Sequence, residues 1–409
     1  WMDEFKLRFS LGQTGNAASG ASLYLGSYAS GDNYMDMSAI TPSTMQLNRL
    51  KWETTTEYNT GLDASFLKGK LRFTVDVYQK YIKDLLQKKV KMPTSIGYGN
   101  GYEVSYMNSG KMTNKGWEFR VDAVPFENRD WRVGFYFNIA HNENKITEMP
   151  DNYTEENYTF NNGEYAYRRE EGRPMGSFYG YRYKGVCQNK DATYARDADG
   201  NVMKDISGNA IVMRNGTATI APGDALYEDI NHDGVINQYD IVYLGNSNPR
   251  FTGGAGVNVS YKQFKLSAIF YGRYGQDVVN STRLNNESMR GIDNQSTAVL
   301  RRWRNEGDQT DIPRALYGEG YNTLGSDRFV EDASYLRLKS LSFNYRLPKK
   351  IIQRWGFSNI DVYVTGYNLF TWTKYTGQDP EVKTENTYAR DSATTPASIQ
   401  LVAGFNLSF

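Results

Sequence analysis

The chain ends on ASIQLVAGFNLSF, residues 397–409, and no other stretch constrains its fold so tightly. Ile399, Leu401, Ala403, Phe405, Leu407 and Phe409 are apolar and occupy every second position. Between them stand Ser398, Gln400, Val402, Gly404, Asn406 and Ser408, mostly small or polar. Residues two apart share one face of a strand. One face is thus made for an apolar medium and the other for something wet, over about the length that a tilted strand needs to cross a bilayer. An edge strand of a soluble sandwich can alternate in the same way. A terminal strand closing on Phe is also what the last, ring-closing strand of an outer-membrane barrel requires.

The same alternation recurs along the chain. Phe5, Leu7, Phe9 and Leu11 form one face of the first segment, and Leu62, Ala64 and Phe66 one face of the second. Leu71, Phe73, Val75 and Val77 follow, then Trp117, Phe119, Val121 and Ala123, and then Trp131, Val133, Phe135, Phe137 and Ile139. Ala255, Val257, Val259 and Tyr261 precede Phe264, Leu266, Ala268 and Phe270 across a short YKQF turn. The segment Tyr335 to Leu347 changes register near Lys339–Ser340, which predicts a bulge. Ile360, Val362 and Val364 mark the ninth segment, and the chain ends on the tenth.

Connections between these segments alternate between short (67–70, 126–130, 261–263, 348–359) and long (12–50, 88–112, 147–250, 280–327, 375–396). Tight periplasmic turns opposite long extracellular loops are the habit of outer-membrane barrels. Parity also decides an ambiguous segment. If SFYGYRYKGV (177–186) crossed the membrane, the tight turn after Tyr261 would fall outside, so it is expected as extended structure within the 147–250 excursion. The fold expected is an all-β transmembrane antiparallel barrel. Ten strands are few for loops of this size and nothing resembles a plug, whereas plugged transporter barrels have about 22 strands. Residues 1–409 therefore read as the C-terminal part of such a barrel.

Composition agrees. Hydrophobic residues make up 39%, and no run approaches the roughly 18 apolar residues of a spanning helix. A barrel tolerates this, because only alternate residues of its strands meet lipid. Lys and Arg number 47 against 46 Asp and Glu, so the balance carries no nucleic-acid footprint. The single cysteine, Cys187, excludes an internal disulfide framework and reads as a packed residue. No signal peptide opens the chain; an outer-membrane protein is exported, so Trp1 is not expected to be the native start.

Several phrases, in order, carry a resemblance: LRFSLGQTGN (7–16), WETTTEYNTGLD (52–63), NSGKMTNKGWEF (108–119), GRPMGSFYGYRYKGV (172–186), PGDALYEDINHDGVIN (222–237), GNSNPRFTGGAGVNVSYKQFKLS (245–267), YLRLKSLSFNYRLP (335–348) and GYNLFTWTKYTGQDPEV (366–382). The chain resembles the SusC/RagA-type TonB-dependent transporters of Bacteroidetes outer membranes over nearly its whole length. The resemblance implies import of glycan or oligopeptide fragments beneath a SusD-like surface lipoprotein that acts as a lid, with energy drawn from TonB. It also implies that signal, N-terminal extension, TonB-contact segment, plug and earlier strands lie outside this chain. A passive porin and a surface adhesin are the alternatives.

One motif has metal-ligand spacing. Asp229, Asn231, Asp233, the Val235 carbonyl, Asn237 and Asp240 stand at positions 1, 3, 5, 7, 9 and 12 of an EF-hand-like loop, with Gly234 at the sharp turn. Oxygen ligands without sulfur favour Ca²⁺, expected here as a structural ion. Asp240 replaces the usual Glu and reaches less far. Enzymatic chemistry is not expected: only His141 and His232 could serve as an imidazole base, one on a strand and the other at a non-ligand position of the metal loop. Substrate contact, if any side chain betrays it, falls to loop aromatics, foremost Tyr179, Tyr181, Tyr102 and Tyr165, whose rings can stack and whose hydroxyls can bond. Aromatic girdles and loop packing use the same residues. Residues 296–315, with four arginines around Trp303, have the spacing of an amphipathic docking or loop-packing helix.

Overall fold

A computed structural model describes the chain apart from residues 21, 32, 34, 93, 97, 99–102, 109, 150–161, 167, 168, 319, 383, 386 and 387. Contacts divide it into two compact units, Trp1–Ala123 with Asn138–Thr154 and Arg169–Met175, and Val124–Phe137 with Glu155–Arg168 and Gly176–Phe409.

Ten long strands dominate: β1 (Met2–Asn16), β2 (Glu53–Phe66), β3 (Leu71–Lys83), β4 (Lys111–Glu127), β5 (Trp131–Glu148), β6 (Phe251–Tyr261), β7 (Phe264–Tyr274), β8 (Tyr335–Arg346), β9 (Asn359–Thr373) and β10 (Gln400–Ser408). They lie in one sheet in chain order, each hydrogen-bonded to the next. Pairing is antiparallel. All ten fall on the alternating segments of the sequence. Among the described residues no helix is long and apolar enough to cross a membrane.

The two faces differ as the alternation demands. Phe5, Leu7, Phe9 and Leu11 of β1, Phe343 of β8, and Val362 and Val364 of β9 stand exposed, as do Leu401 at 76% and Phe405 at 68% of β10. Rows of bare apolar side chains on β1, β8, β9 and β10 are built for hydrocarbon, not water. The opposite face is polar and bonded across strands. Arg8 of β1 donates to Asp63 of β2 at 2.7 Å and to Asp76 of β3 at 3.0 Å. Ser267 bonds Asn258 at 2.7 Å, Ser342 bonds Thr365 at 2.8 Å, and Arg346 donates to Asp361 at 2.9 Å. Ion pairs this open to solvent are individually weak. They settle how the wet face is arranged more than whether it forms.

Two devices shape the wall. At the predicted bulge, Ile269 opposes Ser340 while Phe270 opposes Leu338, so Lys339 has no partner across β7. Arg337 and Lys339 both reach Glu381, and Ser342 then points to the same polar face. Three residues from 339 to 342 is a spacing that a bulge, not a regular strand, permits. The second device is a ring over a glycine. A Cβ on Gly256 would lie 2.0 Å from the Tyr136 ring, and one on Gly404 would lie 2.6 Å from the Tyr363 hydroxyl. Only the missing side chain lets each ring approach the glycine so closely.

β2–β3, β4–β5 and β6–β7 are joined by tight turns, the last a two-residue connection closed by the Tyr261–Phe264 pair. The long connections carry small sheets of their own. Ser177–Gly180 pairs with Val242–Asn246, and Tyr183–Val186 with Ala225–Tyr227, so the 177–186 segment is extended and outside the wall, as parity requires. Asp277–Asn280 pairs with Val330–Asp332 and with Tyr388–Asp391. The helix expected over 296–315 is absent. Only a single 3₁₀ turn, Thr297–Arg301, forms. Val299 packs beside Met289 and Ile312. Ser296 caps the turn through Ala298 N–H at 3.1 Å, and the Arg302 N–H bonds back to Val299 at 3.1 Å, closing the turn before a second one can start.

Candidate functional site

The long connections fold into a core. Tyr179 and Tyr181 are 0% and 2% exposed, packed with Ala166, Ala225, Tyr227, Ile236 and Leu324. Tyr165 sits beside Phe178, Val279, Leu284 and Phe329, and its hydroxyl donates to the Ser326 carbonyl at 2.7 Å. The Tyr227 hydroxyl accepts the Leu324 N–H at 3.0 Å. Burial pushes the Tyr165 and Tyr227 hydroxyls well above the ordinary tyrosine range. Tyr165, Tyr179 and Tyr181, the expected substrate contacts, are thus core residues of the cap in this structure, at 7%, 0% and 2% exposure. Tyr102 lies outside the described residues. The missed signal was the run SFYG at 177–180, buried at every position and therefore without period.

Charged knots hold this core. Asp224 accepts from Arg314 at 2.7 and 3.1 Å, from Asn322 at 3.1 Å and from the Ala221 N–H at 2.9 Å. Arg314, one of the four arginines around Trp303, is thereby committed to structure. Arg328 donates to Glu287 at 2.7 Å, and Glu287 also takes Arg283 at 3.0 Å. Burial pushes the Cys187 thiol up to about 11, which keeps it a packed thiol and not a nucleophile.

The last long connection is tied to the wall. Arg337 of β8, its side chain 3% exposed, donates to Asp379, to Glu381 at 2.8 Å and to Thr371 at 2.8 Å. Lys339 adds a bond to Glu381 at 2.8 Å. Burial alone would raise the Asp379 carboxyl. Backbone N–H bonds from Ala397 and Glu381, with Arg337, hold it below the usual range.

The 229–240 loop is closed by hydrogen bonds among its own residues. Asp229 accepts the Gly234 N–H at 2.8 Å and the Asp233 N–H at 3.3 Å. Asp233 accepts the Val235 N–H at 2.8 Å, and the buried Asp240 accepts Ile230 N–H at 2.8 Å and Asn237 N–H at 2.9 Å. Gly234, at φ +81°, makes the turn with a Cβ position 2.9 Å from Ala195. Among the described residues no three His, Cys, Asp or Glu side chains converge enough to hold an ion alone. The donor set fits a hard cation only if Asn231, Asn237 and the Val235 carbonyl complete the three aspartates, as in an oxygen-ligand loop. His232, at φ 57°, turns its ring toward the Arg196 carbonyl at 3.3 Å, outside that set. His141 lies beside Trp117, ring centres 6.1 Å apart.

Relatives share the fold. A protein called TonB-dependent receptor P3 of Formosa agariphila is 31% identical over 93% of this chain, and TonB-dependent receptor SusC of Bacteroides thetaiotaomicron is 27% identical over all of it. The chain spans 36% and 38% of those relatives' lengths. The solved RagAB peptide importer in its closed-closed state aligns with the whole chain at TM-score 0.73 and 27% identity, 41% of that chain being covered. Residues 1–369 match the family described as TonB dependent receptor-like, beta-barrel. With its ten-stranded wall, apolar on one face and polar on the other, the chain belongs to the TonB-dependent receptor β-barrel family of the bacterial outer membrane.

Proposed function

We propose that this chain forms the C-terminal wall and loops of a TonB-dependent importer that moves glycan or oligopeptide fragments across the outer membrane. The carrying observation is the family match over residues 1–369, laid on a wall with a bonded polar face. Transport asks no catalytic residue of this part. It asks for a rigid wall, a wet inner face and loops stiff enough to dock a partner. A SusD-like surface lipoprotein is the proposed lid, and TonB, acting through segments outside residues 1–409, the energy source. One Ca²⁺ held by Asp229, Asn231, Asp233, Val235, Asn237 and Asp240 would stiffen the excursion between β5 and β6, which is otherwise costly to order.

The test is purification of the full-length protein from native outer membranes in mild detergent, with uptake assayed in cells with and without TonB. A co-purifying lipoprotein and TonB-dependent uptake of fragments support the importer. TonB-independent conductance would leave a passive porin, and surface binding without uptake an adhesin.

A further inference from the structure

A cavity of about 980 Å³ opens on the polar face of β6 and β7, bounded by residues 247–249 and by the connection between β9 and β10. Its volume is at the upper end of small-ligand sites. Tyr271, Arg273, Gln276, Asp379, Glu381 and Arg390 give it its chemistry. The two carboxylates are already committed to Arg337. The two guanidinium groups have no close carboxylate: Arg273 donates to the Tyr271 hydroxyl at 3.2 Å and Arg390 to the Ser281 hydroxyl at 2.6 Å, no ion pair within 4.0 Å involves either among the described residues, and Glu381 acts on Arg273 only from longer range. A second, independent feature points the same way. Gln276 is 1% exposed, and its side-chain carbonyl oxygen has no hydrogen-bond donor. A buried acceptor left without a donor costs stability unless something supplies one. The Tyr271 ring is flanked by Arg273 at 5.9 Å and Lys339 at 5.7 Å, so it is no free platform for a neutral sugar.

We infer that this cavity binds the carboxylate of an anionic nutrient fragment, with Arg273 and Arg390 on the charge and the Gln276 oxygen taking an N–H or O–H of the same ligand. The inference rests on the import reading above for the ligand's being a nutrient. A sugar acid and an acidic peptide share this chemistry.

Four probes test it by calorimetry on the full-length protein from outer membranes: N-acetyl-glycyl-glycyl-glutamate, its doubly amidated neutral form, trigalacturonate and its fully methylated ester. The expected result is binding of one acidic probe, weakened about tenfold or more in Arg273→Gln and in Arg390→Gln, less in Arg273→Lys, with neutral forms bound weakly and unchanged by each variant. Gln276→Met keeps the shape and removes the orphan oxygen. It should weaken binding without lowering the unfolding temperature, which a purely structural glutamine would not do. Which acid binds separates peptide from sugar as the source. Equal binding of acidic and neutral forms, or variants that bind like wild type, overturns the site. Uptake that proceeds while the variants are indifferent removes the site and keeps the importer. Arginine-dependent binding in cells that import none of the fragments keeps the site and removes the importer.

Discussion

Replacing Arg337 with Met should release the β9–β10 connection from the wall without melting the wall. Removing one member of a buried ion pair costs about 3–5 kcal/mol. Here the remaining partners soften the loss. Glu381 keeps Lys339 at 2.8 Å, and Asp379 keeps the N–H groups of Glu381 and Ala397, each at 2.9 Å. About 2–3 kcal/mol should remain, roughly a 30- to 150-fold rise in the detached population. Hydrogen exchange on the full-length protein measures this directly, with amides of 375–397 as reporters and those of β7 and β9 as internal controls. Acid gives an orthogonal version. The Asp379 carboxyl is depressed in the folded state, so its contribution is present above the ordinary carboxylate range and lost as pH falls through the depressed value. Wild-type exchange should rise in that window, and the Met variant should respond less. Unchanged exchange of 375–397 in the variant would refute the tether; equal loss of protection in β7 and β9 would show that Arg337 holds the wall instead.

Three further outcomes are expected. Metal analysis should find one Ca²⁺ per chain, and chelation or Asp229→Ala should raise exchange in 229–241 while β6 stays protected; no calcium in protein purified with calcium present would end that reading. Gly256→Val should displace the Tyr136 ring and destabilise the barrel by about 1–3 kcal/mol, read as a lower temperature of heat-modifiable gel mobility, whereas Tyr136→Ala should make the same substitution far milder. Phe405→Arg on the apolar face of β10 should cost up to about 4 kcal/mol depending on its depth, and Asn406→Arg on the polar face much less; a larger cost for Asn406→Arg by urea unfolding in lipid would mean the faces are assigned backwards.

The wall was legible because a strand between lipid and water writes its geometry as a period of two, and even the slip at Lys339 left a mark where apolar positions moved from 336 and 338 to 341 and 343. The loops were not legible. Tyr179, Tyr181 and Tyr165 have the composition of a recognition surface, yet they fill the interior of a folded cap. Tyrosine serves both ends, and no period separates them when every neighbour is buried. The arginines around Trp303 misled for a related reason. Their helical spacing is real over a few residues, but the Ser296 cap, a closed 3₁₀ turn and the Arg314–Asp224 bond decide the local path, and those partners lie far away in sequence. The tight turn at 229–240 was readable, because Asp and Asn side chains close it on neighbouring N–H groups, whereas the ion it is proposed to hold is a matter for metal analysis.

Asn162 bridges to Leu324, the Tyr181 N–H reaches Gly325, the Tyr165 hydroxyl reaches Ser326, and the Ala389 N–H reaches Ser247. Three connections that leave the wall at different strands therefore share one interior. They cannot diverge separately. Transplanting a single connection from a relative would strand half of a shared core in each direction, whereas exchanging all three as a block would carry a finished cap. New specificity in such a protein is therefore reached by concerted change in the cap, or by change in side chains that line a cavity without entering the core.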